Sequence, residues 1–244
     1  MKSFLQAQTL TWPFMAWLSV ALAGFVAPAI AMFWFVNAPA PTPLAPVGGP
    51  ILAIGLMGAG MIGAAAAGRL WFGLLLALLT SAGLILFARM LAMPTLLHPL
   101  STGLAVIIAG ISFAARGTLF ARSASGKGWW IAVFVVAGEA AVVLTASARP
   151  GLLPDWLLAL LPAQWASIAI QTALTGTGTR AASSALIALG GTAAATLLVV
   201  WLWPRRWPYL IMFTVWLALS ALVYHQSGPP TARTDLAIAA APSG

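Results

Sequence analysis

Long apolar runs, each about one bilayer thick, alternate along this chain with short breaks rich in proline, glycine or arginine. A helix that crosses a membrane needs about 20 largely apolar residues. On that criterion the pattern predicts spans at 12–36, 50–67, 70–93, 96–115, 129–148, 156–174, 183–203 and 209–225. The fold class is therefore an all-α, polytopic transmembrane helix bundle with eight spans. Seven is the alternative, because 156–174 is interrupted by Pro162, Gln164 and Gln171 and is either a kinked crossing or a partly buried segment.

The breaks carry their own predictions. Pro13 stands in the first turn of its helix, where a missing N–H costs little, and Pro28 is placed to kink the same helix. Asn37 to Gly49 holds proline at a density that reads as an extended connector. Gly68 and Arg69 leave room only for a tight helical hairpin. Residues 116–128 read as the most basic loop, with Arg116, Arg122 and Lys127. Residues 1–225 form one integral-membrane domain, and 226–244 read as a disordered polar tail. The first apolar run is about as long as a full span, whereas the core of a cleaved signal is roughly 7–15 residues, so it reads as a retained helix.

Composition narrows the class. The chain is 62% hydrophobic and 6% charged, against about 25% charged residues in a soluble domain. Such a chain cannot build a water-facing surface, but it can face lipid. The net charge of +8 comes from cations scattered singly between spans, so no stripe suited to nucleic acid forms. Lys and Arg hold loops on the cytoplasmic side of a membrane. The first half of the chain accordingly places the N-terminus in the cytoplasm, while the last third fits seven and eight spans equally well. The expected location is a bacterial inner membrane. Cysteine is absent, which excludes disulfides and thiol chemistry.

Few polar groups lie inside the spans. Glu139 falls near the middle of the fifth, in an otherwise apolar stretch. A charged group there costs about 2.5–3.5 kcal/mol on insertion scales, so it must turn inward and be paired or protonated. Thr80, Ser81 and Gln164 are the expected partners at that depth, and no basic residue is expected there. Glu139, Gln164 and Thr80 are thus the candidate intramembrane proton or ion site, set against a neutral packing role for Glu139. Arg205 and Arg206, between Trp203 and Trp207, are candidate contacts for lipid headgroups. Gly55, Ala59, Gly63 and Ala67 recur every four residues, a spacing that lets helix backbones approach closely in lipid. Gly190/Ala194 and Gly191/Ala195 repeat the pattern.

No catalytic constellation, nucleotide fingerprint or metal-ligand set is found, and His98 and His225 lie at span ends. No cofactor is expected, and the chain reads as a non-enzyme. The expected partners are membrane lipid and other membrane subunits or further copies of the chain. Two functional classes follow. The first is a membrane component, an anchor, assembly factor or partner-binding subunit. The second is a small-solute or proton-coupled transporter or channel using Glu139.

Overall fold

The computed structural model describes residues 14–37, 44–91, 98–176, 179–203, 205 and 207–227. These residues form helices joined by short turns. We number them α1 (Phe14–Asn37), α2 (44–67), α3 (Leu70–Met90), α4 (Pro99–Ala124), α5 (Gly128–Ala148), α6 (Asp155–Ala159), α7 (Pro162–Thr175), α8 (Thr179–Trp201) and α9 (Trp207–Ser227). Among the described residues, seven helices are long and apolar enough to cross a membrane, namely all but α6 and α7. The chain is an all-α helical membrane bundle. The polar tail and Arg206 lie outside the described residues.

The bundle is built around α2. In its most apolar stretch 89% of residues are buried, against 17% for α5 and for α9, which turn most of their surface outward. Small residues put α2 at the centre. A Cβ on Gly55 would lie 2.5 Å from Leu84 Cδ1, and one on Gly63 would lie 2.7 Å from Leu76 Cδ1. Ala59 is fully buried against Gly24 of α1, and Ala67 is half-buried at the helix end. Glycines of α3 and α4 pack on α2 as closely. A Cβ on Gly73 would lie 2.5 Å from Ala64 Cβ, and one on Gly117 would run into the Met61 carbonyl. In lipid, where water no longer drives apolar surfaces together, such close contact is a main source of helix association. In α8 only one of the two expected pairs does this: Gly191 packs on Leu219, while Gly190 faces open space.

Wide π-helical turns interrupt α1 at Leu22–Val26 and α2 at Gly58–Ile62. They meet, since a Cβ on Gly58 would lie 2.6 Å from the Ala23 carbonyl oxygen. Gly68, with φ of 65°, ends α2 in the left-handed conformation that opens the tight turn into α3.

The structure corrects the expected boundaries in three places. The connector expected over Asn37 to Gly49 is helical from Leu44 onward. A proline-rich start is tolerated partly because the Gly49 N–H donates to Gln171 Oε1 at 2.8 Å. The basic loop expected at 116–128 is helical to Ala124, followed by a 3₁₀ turn at Ser125–Lys127. Its small and apolar side explains this: Gly117, Thr118 and Leu119 are buried. Arg122 donates to the Val200 carbonyl of α8.

The third difference concerns 156–174, which is two short helices rather than one span. At about 1.5 Å per residue, the 14 residues of α7 reach about 21 Å, short of a hydrocarbon core of about 30 Å. Topology gives the same answer. Arg116 of α4 meets Thr192 of α8, and Arg122 meets Val200. The two helices therefore run parallel. Because α5 lies between them in the chain and returns antiparallel to α4, it ends on the face where α8 begins. Segment 149–178 leaves and returns on one face. It is a re-entrant hairpin, and the crossing count among the described residues is seven, within the seven to eight expected.

Close packing around α2 yields a test. Gly73→Leu forces side-chain atoms into α2 and should cost about 1–3 kcal/mol or more. The expected readout is a lower melting midpoint and lower yield in detergent. Gly103→Leu, where a Cβ meets nothing within 4 Å, should leave both unchanged.

Candidate functional site

The tip of the hairpin is held by Glu139. Helix α7 begins with Pro162, which has no N–H to satisfy. Its N-cap, Leu161, has no side-chain acceptor. The Gln164 and Trp165 amides both donate to the Leu161 carbonyl, at 3.0 and 3.2 Å. That leaves the Ala163 N–H as the open donor of the first turn. It donates to Glu139 Oε2 at 2.9 Å. A carboxylate also suits the positive end of the helix dipole. Glu139 thus serves as an N-cap supplied from another helix.

The elbow between α6 and α7 is closed in the same way. Trp165, fully buried, donates through Nε1 to the Ala159 carbonyl at 2.8 Å. The amides of Leu160 and Leu161 donate to Leu157 and Leu158. Backbone groups that would be stranded in hydrocarbon are therefore satisfied inside the protein, as irregular structure at membrane depth requires.

The partners differ from those expected from sequence. Ser81 is buried in α3 and Thr80 is half-buried there, and Glu139 bonds to the backbone of α7 instead. Arg116 is the unexpected neighbour. Placed in a loop by its sequence context, it sits within α4, half-buried, and attracts Glu139 through space. Its Nη2 also donates to Thr192 Oγ1 at 3.4 Å, and its guanidinium lies 5.9 Å from the Phe113 ring centre. Within the bundle the acid therefore caps a helix N-terminus and lies within the electrostatic reach of a cation on α4.

Gln164 lies one residue beyond the capped amide, and it lines a cavity. Helix α7 buries Trp165, Ala166, Ala169, Ile170 and Ala173. Its other side carries Gln164, Ser167, Gln171 and Thr175, at spacings of three and four that keep them on one face. This face lines a cavity of about 440 Å³ together with Ser147 and Asp155. Pro150, Gly151 and Asp155 are exposed at its rim, so it is a vestibule that opens on the face where the hairpin enters. Its volume falls in the usual range of small-molecule sites, about 300–1,000 Å³. Glu139 is not among its lining residues. It stands behind the deep end, holding the tip that closes the vestibule.

The remaining candidates lie apart from this site. Arg205 is exposed in the connection between α8 and α9, beside Trp203, whose ring meets Tyr209 at 6.2 Å. His98 and His225 fall on the same face, as seven crossings require. His98 lines a smaller cavity of about 220 Å³ with Ser101, Ser183 and Thr172, the last of which it shares with the vestibule. A third cavity, of about 340 Å³ between α1, α2 and α5, is almost wholly apolar. No protein-family model, curated protein or solved structure matches the chain.

The capping role separates two substitutions. Glu139→Gln keeps an oxygen that accepts from Ala163, whereas Glu139→Ala leaves that amide unsatisfied and Arg116 without its counter-charge. Leaving a buried amide unsatisfied costs about 1–3 kcal/mol. The expected result is a large drop in melting midpoint for Glu139→Ala and a smaller one for Glu139→Gln. Adding Arg116→Met should recover part of the Glu139→Ala loss; an additive double mutant would show that the two charges are not coupled.

Proposed function

We propose that this membrane protein is a small-solute carrier or channel, with the vestibule as one half of the path and the hairpin tip as its barrier. The polar face of α7 carries this reading. Polar groups in a membrane protein concentrate where water or substrate is handled, and a broken, re-entrant helix is tolerated where it is buried or lines a water-filled cavity. Half-helices that end near the membrane midplane are also how many carriers build their sites. Glu139 then has a double part. It holds the barrier closed, and proton binding would remove its attraction to Arg116 and loosen the tip. The alternative reading, an anchor or partner-binding subunit, rests on composition and on the close-packing rows alone.

Orientation belongs to the same proposal. The connections between α2 and α3, between α4 and α5 and between α8 and α9 share one face, and their described cations are Arg69, Lys127 and Arg205. Excess Lys and Arg marks the cytoplasmic side. The vestibule then opens away from the cytoplasm, in a bacterial inner membrane, and Arg205 stands where cytoplasmic anionic headgroups lie. The protein acts without a cofactor and without covalent chemistry.

Reconstituted vesicles supply the test. Stopped-flow shrinkage with glycerol, urea and ethylammonium chloride should reveal permeation above that of empty vesicles for at least one solute. Gln164→Trp, which fills the deep end of the vestibule, should lower that flux about tenfold or more while the protein still folds. Glu139→Gln should abolish accumulation driven by a pH gradient. Flux equal to empty vesicles for every solute would contradict the carrier reading.

A further inference from the structure

The vestibule has a definite electrostatic character, and it identifies the class of solute. We propose that it selects small cationic hydrogen-bond donors, of the alkylammonium type, over anions; this rests on the reading of the vestibule as a solute site.

Two of the hydroxyls on its wall give their protons to the protein. Ser147 donates to the Val143 carbonyl at 2.8 Å, and Thr175 donates to the Gln171 carbonyl at 2.9 Å. A hydroxyl has a single proton, so Ser147 meets a bound solute with oxygen lone pairs. Asp155 adds a carboxylate at the rim, where α6 begins. Among the described residues the lining includes no Lys, Arg or His.

Backbone dipoles act in the same direction. Helix α5 ends at Ala148 and α7 ends at Thr175, and both ends border the vestibule through Ser147 and Thr175. The C-terminus of a helix carries about half a negative charge from its open carbonyls, and cations are favoured there. The one N-terminus at the rim belongs to the short α6, and Asp155 stands in its first turn. Three features act the other way, the first being the N-terminus of α7, which borders the deep end through Gln164 and is offset there by Glu139. Arg149 is exposed in the same connection but does not line the cavity, and Gln171 gives its oxygen to the Gly49 amide. Against two helix C-termini, a carboxylate and the Ser147 hydroxyl, these leave the balance negative. Gln164 contributes an amide that both donates and accepts, which suits a polar solute at the deep end.

The test uses the full chain purified in nanodiscs, with ionic strength held constant by sodium chloride. Ethylammonium chloride should raise the melting midpoint saturably, whereas sodium acetate and glycerol should not. Asp155→Asn, at an exposed position that the fold does not bury, should weaken the apparent ethylammonium affinity about tenfold. Asp155→Lys should abolish it. Stabilisation by acetate equal to that by ethylammonium would overturn the proposal, as would an Asp155→Lys protein that still responds to ethylammonium. Saturable stabilisation by glycerol alone would overturn the cation class and leave the solute site standing. No response to any of the three probes, with no flux in vesicles, would overturn both.

Discussion

A single backbone amide in the middle of the bundle organises the rest. In hydrocarbon an unsatisfied N–H costs several kcal/mol, and breaking a helix inside a membrane normally exposes a full turn of such groups. Here proline removes one donor, the Leu161 carbonyl takes two more, and Glu139 takes the Ala163 N–H. The same bond relieves the acid, whose charge would be costly at that depth. Two groups that are unfavourable separately become acceptable together. The helix can therefore stop halfway, and a cavity can open beside it.

The rest of the bundle supports that arrangement. The small residues of α2 let α1, α3 and α4 close around it, and α7 packs beside it through Gly49 and Gln171. Arg116 reaches the acid from α4 because Gly117 allows that helix to lie against the Met61 carbonyl. Packing thus fixes the depth of the cation, and the cation steadies the carboxylate. The polar face of α7 takes part in this packing through Gln171 and, beside it, lines the vestibule.

Much of this was legible in sequence and some was not. Span lengths gave the class and most boundaries, because hydrophobic length has one reading in a bilayer. Glu139 stood out because charge inside a span is expensive. Its partner could not be found in the same way: a backbone amide leaves no residue type to search for, and only Pro162 after an uncapped Leu161 hinted at it. Arg116 was read as loop because arginines usually end spans; its inward turn depends on Gly117 and Thr118 being buried, a tertiary fact. The Gln164–Ser167–Gln171–Thr175 spacing was present in the sequence, but whether such a face meets water, lipid or protein depends on the neighbouring helices.

The re-entrant path of 149–178 is the central claim, and impermeant labelling of single cysteines tests it in a chain with no native cysteine. Lys127→Cys, Leu152→Cys and Arg205→Cys, each probed in intact cells with a membrane-impermeant maleimide before and after permeabilisation, place three connections relative to the bilayer. A hairpin that enters and returns requires Lys127→Cys and Arg205→Cys to react alike and Leu152→Cys to react oppositely. Reaction of Arg205→Cys together with Leu152→Cys would mean that the segment crosses, and the vestibule and its capped tip could not be arranged as described.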